Sequence, residues 1–223
     1  PTRTNIDLSS TTLNPTSTGF MITGNAAGDR LGYSVSTAGD SNNDNYDDII
    51  IGAHTKDSNQ GAAYVIYGGS KPTRTNIDLS STPLTPTSNG FKITGSASGD
   101  MLGVSVSTAG DINNDNFDDI IVGAVNKNSG QGAAYVIYGG ATMTNIVLSP
   151  TPLNPATTGF MITGNAGSDE LGISASTAGD INNDGYDDII VGAYYKDGSQ
   201  GAAYVIYAGG KSIMRNIDLS TQA

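Results

Sequence analysis

Apolar and polar positions along this chain of 223 residues fall into short runs separated by Gly, Asn, Asp, Ser and Pro. In Leu31-Gly32-Tyr33-Ser34-Val35-Ser36 the apolar positions alternate, the period of a strand with one buried face. In Ile49-Ile50-Ile51 they are continuous, which predicts a strand covered on both faces and lying deep between neighbouring sheets. The first stretch of the chain reads as strands over 5–9, 19–24, 31–36, 48–53 and 61–68. Gly52-Ala53 and Gly61-Ala62 carry side chains small enough for backbones to approach closely, although turn geometry alone would also account for the glycines.

The same series recurs. Asn5, Asn76, Asn145 and Asn216 open the related strings NIDLS, NIDLS, NIVLS and NIDLS, at spacings of 71, 69 and 71 residues. Asp40, Asp111 and Asp180 keep that register, as do Tyr64, Tyr135 and Tyr204. A fixed period of this kind defines supersecondary units that bury their apolar faces only by stacking. The units run 1–71, 72–141 and 142–211, and 212–223 begins a fourth. The expected fold class is all-β, with four or five short strands per repeat.

Composition agrees, with 30 Gly and 8 Pro among many Ser, Thr, Asn and Asp residues, the profile of brief strands joined by tight turns. A formal net charge of −11 repels nucleic-acid backbones and anionic membrane surfaces and favours cations as partners. No run of residues reaches the ~18 to 20 apolar positions of a membrane span. The absence of cysteine removes disulfides, thiolate metal sites and thiol nucleophiles, so a secreted protein of this kind needs another cross-link, for which a bound metal is the natural substitute. The chain opens at Pro1 without a Met or a leader, as a processed or excised part of a longer protein would.

The candidate chemistry lies in three loops that read DSNNDNYDD from Asp40, DINNDNFDD from Asp111 and DINNDGYDD from Asp180. Oxygen-bearing side chains occupy positions 1, 3, 5 and 9, and the aromatic residue at position 7 offers its carbonyl. Calcium takes six to eight oxygen ligands, and alternate side chains of a curled loop converge on one point. The expected ligands are Asp40, Asn42, Asp44, Tyr46 and Asp48; Asp111, Asn113, Asp115, Phe117 and Asp119; and Asp180, Asn182, Asp184, Tyr186 and Asp188. That gives three calcium ions, one per repeat, which would carry the net charge from −11 to about −5. Position 6 requires a left-handed turn, which Gly185 makes freely and Asn45 and Asn116 tolerate. Magnesium, with its rigid octahedron and retained waters, suits such a loop less well. An acidic Asn/Asp-rich segment can also be only a turn, but three copies in one register weigh against that. An EF-hand is excluded because its closing Glu at position 12 is replaced by Ile51, Val122 or Val191.

Taken together, LGYSVSTAGD, the D-x-N-x-D-x-x-x-D loop, DDIIIGA and GAAYVIYG resemble, in order and in all three copies, the FG-GAP repeats of the integrin α-subunit head and of many bacterial surface and secreted proteins. The resemblance implies that each repeat builds a four-stranded β-propeller blade, with calcium held between two strands. Leu31-Gly32, Leu102-Gly103 and Leu171-Gly172 stand where the family has Phe-Gly, and His54, Val125 or Tyr194 follows Gly-Ala in place of Pro. Integrin-like propellers use seven blades, and three cannot close a ring.

These readings predict a calcium-stabilised extracellular or cell-surface protein of structural or adhesive kind. Its copies would associate head to tail into a ring or filament through the terminal strands, with the strand over 214–220 spare and free to complete a neighbouring chain. The alternatives are a fragment of a seven-blade propeller that binds surface proteins or glycans, and accessory repeats of a secreted hydrolase. A ligand surface could draw on the repeated Tyr33, Tyr64 and Tyr67, although the apolar strand around the last two favours core packing. Catalysis is not expected: the one histidine, His54, becomes Val125 and Tyr194 in the other repeats, and Glu170 is the sole glutamate. The Ser/Thr/Pro-rich segments from Ser9, Ser80 and Ser149 read first as polar loops and second as O-glycan acceptors.

Overall fold

The computed structural model describes residues 8, 12–70, 75–149 and 153–221. Most of the strand expected over 5–9 lies outside them. The remaining strands form four sheets. The first contains only β1 (Ile22–Thr23) and β5 (Ile77–Asp78), which run parallel. The second is built from β2 (Val35–Gly39), β3 (Asp48–Ala53) and β4 (Ala62–Ile66), joined antiparallel, then β6 (Gly90–Thr94) and, parallel to it, β10 (Ile146–Val147). The third repeats this plan with β7 (Leu102–Gly110), β8 (Asp119–Ala124), β9 (Ala133–Ile137), β11 (Gly159–Thr163) and β15 (Ile217–Asp218). The fourth has three strands, β12 (Leu171–Gly179), β13 (Asp188–Ala193) and β14 (Ala202–Ile206).

The sheets therefore cut across the sequence repeats. Each five-stranded sheet takes three strands from one repeat, its fourth from the next, and its short fifth from the one after that. The fold is all-β, as the strand periods predict, and it forms three incomplete propeller-type blades with no closed barrel. The segment over 214–220, expected to be spare, pairs within the chain: Ile217 and Asp218 lie opposite Ile162 and Thr163. This follows from the same outer-strand pairing that sets Ile146 and Val147 against Ile93 and Thr94.

Blades stack face to face, and the core lies between them. Ile50, Val65, Phe91 and Ile93 of the second sheet meet Ile120, Val122, Tyr135 and Ile137 of the third. On the far side, Ile121, Val136, Phe160 and Ile162 pack against Ile189 and Val191 of the fourth sheet. Every residue of β8 is buried, and β3, which carries the run Ile49-Ile50-Ile51, has no exposed residue, as that run predicts. Backbones also approach closely between blades: a Cβ on Gly52 would overlap the Gly103 carbonyl, and one on Gly123 the Gly172 carbonyl. Close approach, rather than turn geometry alone, thus explains these two glycines.

Candidate metal centre

Each acidic loop joins the first and second strands of its blade. The turn is set by the chain's own carboxylates. Asp40 accepts from the Asp44 and Asn45 amides at 2.9 and 2.8 Å, and Asp44 accepts from Tyr46 N–H at 3.0 Å. Asp111 and Asp180 hold the corresponding amides of their own loops at 2.8 to 3.0 Å. Short Asp side chains satisfy amides a few residues ahead and so curl the loop without a ladder. Position 6 is left-handed in all three copies, with φ of 68° at Asn45 and Asn116 and 89° at Gly185. Position 4 is left-handed too, at Asn43, Asn114 and Asn183, which explains the run of asparagines there.

The ninth-position Asp has a role the sequence reading missed. Asp48, Asp119 and Asp188 are completely buried. Asp48 accepts from Ser41 N–H at 3.1 Å, from the Ser41 hydroxyl at 2.5 Å and from Gly68 N–H at 2.7 Å. Asp119 accepts from Ile112, Asn113 and Gly139, and Asp188 from Ile181 and Ala208. This side chain ties the start of its loop to the end of the third strand. Burial raises the Asp48 carboxyl above the usual range and pushes Asp119 up to about 8, against the lowering effect of the amides they accept from; withdrawal from water disfavours the charged form.

The eighth-position Asp works between repeats. Asp118 accepts from Asp40 N–H at 2.8 Å, and Asp187 from Asp111 N–H at 3.2 Å, so the first and second loops are each capped by a carboxylate from the next. The doubled Asp in all three loops is the sequence signal for this. A second recurring pair, Asp29 with Lys56 at 3.0 Å and Asp100 with Lys127 at 3.5 Å, was equally readable from its constant 27-residue spacing.

The structure places positions 1, 3, 5, 7 and 9 in one loop in each repeat, and their carboxylates are engaged with backbone amides. Among the described residues no three acidic or imidazole side chains gather into a cage. The donor set nonetheless fits a hard cation. It is all oxygen, and a carboxylate accepting one amide per oxygen retains further lone pairs. Two side-chain oxygens, Asn42 Oδ1 and Asn113 Oδ1, are buried without a hydrogen-bond partner. Both stand at position 3, where a ligand is expected, and an orphaned buried acceptor is costly unless something meets it. In the third loop the equivalent Asn182 Oδ1 accepts from Asp184 N–H at 3.0 Å. In the second loop Lys211 Nζ lies 2.6 Å from Asp115 Oδ2, an ammonium already sitting on a candidate ligand.

Other candidates do not assemble into a site. Tyr64 and Tyr67 are buried in the core while Tyr33 is exposed, so the three do not share a ligand surface. His54 is buried against the Tyr33 ring, with centroids 4.0 Å apart, and desolvation lowers its pKa.

The FG-GAP repeat family model matches residues 31–66, 102–137 and 172–206. The chain carries three FG-GAP repeats. Each match runs from the Leu-Gly pair (from Gly172 in the third copy) through the acidic loop to the third strand, so it covers the inner part of each blade. FG-GAP repeats are typically structural modules and usually belong to extracellular domains. No curated protein matches the chain. Among the described residues no helix is long and apolar enough to cross a membrane.

Proposed function

We propose that this FG-GAP chain is a calcium-stabilised extracellular repeat protein of structural or adhesive kind, whose copies join head to tail into a ring or filament. The observation that carries the calcium reading is the pair of unpartnered buried oxygens, Asn42 Oδ1 and Asn113 Oδ1, set in loops whose other candidate ligands are also oxygens. A bound calcium would supply positive charge to each loop and fix its curvature. Asp40, Asn42, Asp44, Asp48 and the Tyr46 carbonyl would hold it in the first loop, and the matching residues in the other two. The chain contains no cysteine, so such ions would take the place of disulfides in fastening the turns.

Titration calorimetry together with thermal unfolding, in calcium and in chelator, tests this reading. Three sites are expected, each adding about 2.7 kcal/mol of stability when free calcium is a hundred times its dissociation constant. Asn113→Ala should weaken one site and leave two. Absence of both heat and a shift in unfolding temperature would remove calcium from the account.

A further inference from the structure

The fourth sheet stops at β14, and among the described residues no strand pairs with its outer edge. In the two preceding blades that edge is filled: β4 takes β6, and β9 takes β11. The three inner strands have one sequence, Ala-Ala-Tyr-Val-Ile, at 62–66, 133–137 and 202–206. The strand β11 reads GFMIT over 159–163, and the same five letters occur at 19–23, where Ile22–Thr23 forms β1. The β1–β5 pair is in turn a sheet of two strands only, and it packs Ile22 and Ile77 against Tyr64 and Ile66 of the first blade. It has the form of an outer strand pair without its inner three, and the fourth sheet that of an inner three without its outer pair.

We infer that a second copy of this chain completes the fourth sheet, its β1 adding antiparallel to β14 with Ala202 opposite Thr23, Tyr204 opposite Met21 and Ile206 opposite Gly19. This rests on the head-to-tail assembly proposed above and names its joint. The register is the one that sets Ala133 opposite Thr163, Tyr135 opposite Met161 and Ile137 opposite Gly159.

Exposure follows the missing cover. Val65 and Val136 are completely buried while Val205 is 43% exposed, and Tyr67 and Tyr138 are buried while Tyr207 is 63% exposed. On the first blade Val35 is 67% exposed where Val106 is 7%. Polar contacts tell the same story. Ser34 and Ser105 donate across to the Gly103 and Gly172 carbonyls, whereas Ser174 is exposed at the third blade's outer face. Asp47, the counterpart of the loop-capping Asp118 and Asp187, is exposed as well. In the joint, Ser174 meets the Gly32 carbonyl of the second copy, and that copy's Asp47 caps the Asp180 amide. Two copies joined at both ends carry six blades, within the roughly four to eight that close a propeller.

Antiparallel partners lie about 4.5 to 5.5 Å apart at Cα, within disulfide reach, and the chain has no cysteine of its own to interfere. The experiment mixes the Met21→Cys and Tyr204→Cys chains under mild oxidation, alongside sedimentation of the unmodified 223-residue chain. A covalent dimer should form in the mixture and in neither chain alone. Gly192→Ala provides a second test. Within one copy its Cβ would overlap only the Ser174 hydroxyl, which can rotate aside, but at the joint it would overlap a backbone carbonyl. It should keep the unfolding temperature of the isolated chain and weaken association at least tenfold. Sedimentation as oligomers without the mixed disulfide would overturn the joint and leave head-to-tail assembly standing. A chain that sediments only as monomer would overturn both, and calcium binding is read separately.

Discussion

At the scale of single residues, the contacts that decide this fold involve side chains too small or too short to look important. Gly123 lies where a single added carbon would meet the Gly172 carbonyl, a backbone atom that cannot step aside without moving a strand. Gly123→Ala should therefore cost roughly 1 to 3 kcal/mol or more, read as a lower denaturant midpoint with unchanged slope. The acidic loops carry the same lesson. Their oxygens at positions 1, 3, 5 and 9 could be singled out as candidate ligands because oxygen spacing is written in the letters. The anchoring of Asp48 to Gly68 was not, because it depends on where the third strand ends in space. The capping of Asp40 by Asp118 escaped for the same reason: it joins residues 78 positions apart.

Among elements, strand existence was legible and strand ownership was not. The continuous apolar run Ile49-Ile50-Ile51 predicted a strand covered on both faces, and β3 has no exposed residue; the strand expected from alternation over 31–36 begins only at Val35 in the first blade. Nothing in a repeat's own letters, however, states that its outer strand belongs to the previous blade. That assignment comes from stacking, in which Phe91 and Phe160 complete cores begun by Val65 and Val136. Tyr67 and Tyr138 follow the third strands of the first two blades, and burial pushes both hydroxyls up to about 12. Unfolded tyrosine ionises near pH 10, so the unfolded chain loses protons first and the folded state is disfavoured as pH climbs. The contribution is intact below about pH 10 and is lost between there and about 12. Denaturation series across that window should show a fall that becomes shallower in the Tyr67→Phe, Tyr138→Phe double variant.

Across the whole molecule, stability is a sum of blade terms and interfaces between neighbours, as expected of a stacked repeat array. One side-chain contact joins residues 96 positions apart. Lys211, beyond the third blade, holds Asp115 of the second loop and lies 5.1 Å from the centroid of the Tyr138 ring. An ion pair this exposed contributes roughly 1 kcal/mol or less, so Lys211→Ala should tighten calcium binding at one site by up to about fivefold, resolved by calorimetry as a change in one of three affinities. The borrowing of outer strands has a further consequence for the chain's history. Since each five-stranded sheet is finished by strands of the repeats that follow it, inserting another copy of a 71-residue unit alters neither outer face. Duplication and loss then change the number of blades while both ends keep their shape, leaving length free to drift under selection that sees only the ends.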